Sequence, residues 1–196
     1  MNQRHPLTAA AQPSLALRLR GLSRTVRGLV LLAAPILASI PVLLLVKPEW
    51  LPDLGLGLGQ ASGLHLSYLA QGGVTLAARM RLAAAGLPTV IVGLASLWQL
   101  WSLFGEYLRG AVFSAHALAC LRRFGALLVA LAIVQPLSQA LMSIAISWDN
   151  PPGERMLLVA ISSSDYALVI GALVFLAIAR VMTEAARVAE ENESFV

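Results

Sequence analysis

The chain has 196 residues, 58% of them hydrophobic and 12% charged, with a formal net charge of +4 and a mean hydropathy of +0.78. With 14 basic and 10 acidic side chains it carries about half the charge density of an ordinary globular protein. So few charges cannot cover so much apolar surface in water, which excludes a soluble fold and points to a single membrane-embedded domain. All the basic residues but Lys47 are Arg, and they lie at the ends of apolar runs. That is a pattern of topology signals and lipid contacts, so the lipid bilayer is the expected partner and direct nucleic-acid binding is not expected. One cysteine, Cys120, excludes an intramolecular disulfide and a Cys-based zinc site.

Residues 1–27 contain five Arg, one His and no acidic residue. Leu15, Leu19 and Leu22 share a rough helical face, with Arg18, Arg20 and Arg24 mostly elsewhere, so this basic amphipathic segment is expected to lie on an anionic membrane surface. An Arg-rich, acid-free start also fits a targeting segment, but no small-residue cleavage site follows the apolar run. Gly28–Val46 is 19 residues without a charge, enough as a helix to cross a hydrocarbon core of about 30 Å. Pro35 and Pro41 are tolerable in such a span, and Lys47 and Trp50 mark its far interface.

Residues 51–85 form a first external segment. Its stretch LGLGLGQASGLHLSYL alternates Leu with small or polar residues, which favours a short strand or hairpin, while the glycines equally permit an irregular loop. VTLAARMRLAAAG, which follows, is helix-compatible, and its Arg79 and Arg81 run against the positive-inside trend. The second span is placed at 86–105, with Pro88 near its start. Trp98 and Trp101, three apart on one face, read as an interfacial aromatic belt.

The third span, 124–148, is long enough to tilt or to kink at Pro136. Gln135 and Gln139 share a face, with Ser138 and Ser143 nearby. Such side chains are expected to hydrogen-bond between helices, at about 0.6 kcal/mol each on average. The second external segment opens with Asn-Pro-Pro-Gly, a strong turn signal. MLLVAIS after it is β-compatible and could pair with the Leu/Gly stretch in a small external sheet. Asp165 is expected to cap the fourth span, 166–182, at the outer interface; the alternative is a buried intramembrane acid. The helix should continue to about Glu191, within an acidic tail, 183–196.

Four spans place both termini on one side. With the N-terminus inside, ten basic residues are cytoplasmic and four external, Lys47, Arg79, Arg81 and Arg155. Both termini are therefore expected in the cytoplasm, and the stretch 107–125 becomes the cytoplasmic connection between spans two and three. There Glu106 can pair with Arg109, Gly110 can end one helix and Ser114 can cap the next. Phe113 and Leu118 are placed as a hydrophobic staple. Complementary charge predicts that Glu184, Glu190, Glu191 or Glu193 meets Arg109, Arg122 or Arg123.

Arg109, Gly110, Ala111, Val112, Phe113 and Ser114, then Leu121, Arg122, Arg123, Phe124 and Gly125, together with the closing Glu190, Glu191, Asn192, Phe195 and Val196, carry a family resemblance. The chain resembles an uncharacterised family of small bacterial four-span membrane proteins, catalogued as a domain of unknown function. The likeness covers residues 85–196 well and the rest in layout; Ala111 stands where the family usually has an acidic residue. The resemblance implies a bacterial inner-membrane location and no particular reaction. It also implies a small cytoplasmic helix-turn-helix regulator as a candidate partner.

No catalytic, cofactor or metal constellation is legible. His5, His65 and His116 fall in three separate segments, and His116 with Cys120 supplies only two ligands. No phosphate loop, nucleophile elbow or HExxH motif is present, so an enzyme is not expected. The sequence favours an all-α integral membrane protein acting as an interaction or regulatory protein. Its cytoplasmic face would be Arg109, Phe113, Ser114, Arg122, Arg123, Glu190 and Glu191. The alternative is a small transporter or channel working as a homo-oligomer, with Gln135, Gln139 and Asp165 as its intramembrane polar contacts.

Overall fold

Each run read as a span falls within a longer helix, apart from Trp148, which caps the third. The structure is a computed structural model describing residues 12–46, 74–111, 114–151, 153–159, 161 and 163–193. It contains α1 (Gln12–Val46), α2 (Leu76–Leu108), α3 (Ala115–Ser147) and α4 (Ser163–Glu193). All four are long and apolar enough to cross a membrane. At 33 residues, α2 and α3 are about 50 Å long and outreach the hydrocarbon core at their ends. Four crossings return the chain to its starting side. One end of the bundle therefore carries both termini and the α2–α3 turn (the termini end), and the other carries the α1–α2 and α3–α4 connections (the loop end).

Three boundaries differ from the sequence reading. The basic segment from Gln12 onward is continuous with the first span in one helix and not a separate surface helix. Thr75, not the region of Pro88, starts the second helix: its hydroxyl accepts from the Ala78 N–H at 3.2 Å, and Pro88 lies well inside. Asp165 is the third residue of α4 and buried, at 4% exposure. It is thus a first-turn acid at the loop end, where the helix dipole favours a negative charge, and neither the cap itself nor a mid-span acid.

The bundle is held chiefly by contacts between chain neighbours, α1 with α2, α2 with α3 and α3 with α4. Toward the loop end, Ile40 and Leu44 of α1, Leu82 and Val90 of α2, and Met142 and Ile146 of α3 form one core. Toward the termini end a second core joins Leu103 of α2, Ala117, Cys120 and Leu121 of α3, and Ala179 of α4. Small residues set the approach. On α2, a Cβ at Gly93 would lie 2.8 Å from Leu37 Cδ2, and one at Gly86 3.4 Å from Leu44 Cδ1. These contacts lie one heptad apart on both helices, as antiparallel packing requires. On α3, a Cβ at Gly125 would lie 2.9 Å from Leu176 Cδ2 and 3.3 Å from the Leu176 backbone nitrogen. Phe124 and Phe175 meet edge to face beside it, at 5.1 Å.

The loop end is clasped by the two arginines that opposed the charge rule. Arg79 donates through Nη1 to the Val46 carbonyl at 3.0 Å, satisfying an orphan acceptor at the end of α1. Arg81 pairs with Asp149, just past α3, at 2.7 Å, and the Thr75 hydroxyl donates to the same carboxylate at 3.1 Å. Three helices are thereby tied by one cluster, and Arg81 and Thr75 hold the Asp149 carboxyl below its ordinary range.

Among the described residues there is no strand. The apolar segment expected to join an external sheet instead lies against α3. The Met156 N–H donates to Ser147 Oγ at 3.2 Å and the Leu158 N–H to Ser143 Oγ at 3.0 Å. Those two donors are therefore committed to α3 and unavailable for a ladder. The proposed partner stretch, 54–69, lies outside the described residues.

Two outcomes are expected. Gly125→Ala must displace the α4 backbone and should cost about 1–3 kcal/mol. Gly86→Ala chiefly displaces the mobile methyl of Met142, 2.7 Å from its Cβ position, and should be close to neutral; unfolding in detergent distinguishes the two. Asp149→Asn should lower the melting temperature at neutral pH. Because the native carboxyl is held below its ordinary value of 3.8, the ionised clasp is fully effective above that value and is lost as pH falls through the lowered one. The gap between wild type and variant should be constant from about pH 5 to 8 and close in stronger acid.

Candidate functional site

The chemistry-bearing side chains gather at the termini end around the turn between α2 and α3. Gly110 has φ +81°. Its N–H donates to the Tyr107 carbonyl at 3.1 Å, and the Ala111 N–H reaches back to Glu106 at 3.1 Å. This pair of bonds is the Schellman arrangement, which needs a left-handed residue and so favours glycine. On the far side Ser114 Oγ accepts from the Ala117 N–H at 3.1 Å and starts α3. Arg109 closes on Glu106 at 2.8 Å. The turn is therefore fixed at both ends, as the sequence indicated. Phe113 and its staple lie outside the described residues.

Arg122 and Arg123 follow two turns into α3, both exposed. A groove of about 370 Å³ opens beside them between α3 and α4, lined by Ala115, Leu118, Ala119, Arg122, Thr183 and Arg187, among others. Two of the four tail acids expected to meet the turn's arginines have an arginine of their own helix. Glu184 and Glu191 both pair with Arg187 of their own helix, the latter at 3.1 Å. Spacings of three and four residues bring these groups together along one helix face without any help from packing. The side chains of Glu190 and Glu193 lie outside the described residues.

A second, larger cleft of about 460 Å³ lies on the other side of the turn, between α1, α2 and α3. Arg27, Trp98, Trp101, Ser102, Arg109 and His116 contribute to its walls. The Arg27 guanidinium carbon sits 3.8 Å over the centre of the Trp101 ring, a cation–π contact. The sequence assigned Arg27 to topology and Trp101 to the aromatic belt. Nothing in their spacing could join two residues on separate helices.

The polar interior is less connected. Gln139 and Ser138 are buried. Gln135 lines a cavity of about 200 Å³ together with Thr89 and apolar side chains from three helices, including Leu37, Val90 and Met142. Asp165 does not line that cavity. His116 Nε2 lies 3.6 Å from Cys120 Sγ, but among the described residues no group of three His, Cys, Asp or Glu could hold a metal ion.

A family model described as a protein of unknown function, DUF2975, matches residues 31–196, and the chain belongs to that family. No curated protein and no solved structure matches it.

The turn itself is testable. Gly110→Ala places a side chain at positive φ and should cost about 1–2 kcal/mol. Ser114→Ala removes the cap and should cost about 1 kcal/mol. Unfolding in detergent measures both, and amide exchange at Ala117 should quicken only in the cap variant.

Proposed function

From that membership, we propose that the protein is a membrane-embedded regulatory protein. Its termini and its α2–α3 turn face the cytoplasm of a bacterial inner membrane, and it docks a cytoplasmic partner there. The observation that carries this reading is the exposed Arg122–Arg123 pair, displayed beside an open α3–α4 groove just after a turn that is clamped on both sides. A rigid platform of this kind loses little conformational entropy on binding. Its positive charge selects a partner with an acidic face and speeds encounter. The small helix-turn-helix regulator associated with such proteins is the partner class proposed.

The alternative, an oligomeric transporter or channel, has the Gln135 and Thr89 cavity in its favour. That cavity is small and mostly apolar-walled, however, whereas a conduit needs polar groups along its length.

Tagged protein extracted from native membranes should co-purify with a small helix-turn-helix protein. The double substitution Arg122→Glu/Arg123→Glu should reduce that capture roughly tenfold or more, since opposing charges replace attraction with repulsion. Helicity and melting temperature should be unchanged, because both side chains are exposed. Undiminished capture by the variant would remove the arginine pair as the docking determinant.

A further inference from the structure

We infer that the cleft around Arg27 and Trp101 is a binding site for a phosphate group, supplied by the headgroup of a membrane phospholipid. Arg27 is held in an unusual way. It stacks on Trp101, its Nε is buried with no hydrogen-bond partner, and among the described residues no carboxylate forms an ion pair with it. Glu106, the acid in the cleft, is engaged by Arg109 at 2.8 Å. The site therefore carries two guanidinium groups against one carboxylate, a net positive charge before His116 is counted. A guanidinium seated over an indole is steadied by that contact without spending its N–H donors on it. The planar fork of arginine matches phosphate oxygens two at a time. Ser102 and His116 add further hydrogen-bonding groups to the same walls.

Depth favours a lipid as the source. Arg27 immediately precedes the charge-free stretch 28–46 of α1, so it stands at the edge of the hydrocarbon core, where headgroup phosphates lie. Trp98, 67% exposed, belongs to the same cleft and suits the interface where a lipid's glycerol and first methylenes would pass. A docked lipid would tie α1 to α2 and the turn at the one end where the core described above recruits no α1 residue.

Native mass spectrometry of the full chain in detergent tests this, with phosphatidylglycerol, phosphatidylcholine and inorganic phosphate as probes. Wild type should bind one phosphatidylglycerol saturably, and Arg27→Gln should weaken that binding roughly tenfold or more. Arg27→Lys, which keeps charge but loses the fork, should fall between. Arg24→Gln changes an exposed arginine on the same helix outside the cleft and should bind like wild type. If phosphatidylcholine shows the same Arg27 dependence, the phosphate is the feature recognised; if only phosphatidylglycerol does, net lipid charge contributes as well. Both support the site. Saturation by millimolar inorganic phosphate with the same Arg27 dependence would support the phosphate site and move its source to solution. Equal losses in Arg24→Gln and Arg27→Gln, or no loss in Arg27→Gln at an unchanged melting temperature, would overturn the proposal. The Trp101→Phe variant, which keeps an aromatic face, guards against misreading a folding defect: it should retain most binding.

Discussion

Hydrocarbon offers no water to a stray carbonyl, hydroxyl or cation, and this one constraint organises the protein's architecture. At the loop end several polar groups beside the spans are answered by other parts of the chain. The last carbonyl of α1 receives Arg79. Arg81 receives Asp149. The segment after α3 returns along that helix, where the hydroxyls of Ser143 and Ser147 take its N–H groups. Each contact is modest alone. Together they pin the loop end.

Packing inside the bilayer cannot draw on the hydrophobic effect between helices, since lipid tails are as apolar as leucine. Close approach replaces it. Gly86, Gly93 and Gly125 let leucine side chains reach within van der Waals contact of a neighbouring backbone, and the two cores form on either side of the α2–α3 pair. The outer helices consequently keep wide apolar faces, Leu29, Leu31 and Leu32 on α1 and Val169, Ile170 and Leu173 on α4. In water these would signal aggregation; in a bilayer they are the ordinary lipid-facing surface.

The two ends of the bundle differ in kind. At the loop end the charges at Arg81 and Asp149 are spent on each other. At the termini end Arg27 rests on an indole and Arg122 and Arg123 stand exposed beside a groove.

The sequence by itself determined what local geometry can determine. Charge-free runs of sufficient length specified four spans, Gly110 and Ser114 specified the turn, and Glu106 with Arg109, three apart, specified an ion pair. All of these depend on separations of a few residues, where helix periodicity fixes which groups meet. Tertiary structure decided the rest. Arg79 meets Val46 across 33 residues, and Arg81 meets Asp149 across 68. Arg27 meets Trp101, and the apolar segment chose serine hydroxyls over a strand partner. Such pairings depend on how each helix is rotated and slid against the next, and that register is set by the glycine contacts between helices. The sequence position of an arginine left each of these pairings open; only the packing revealed which arginines were clasps.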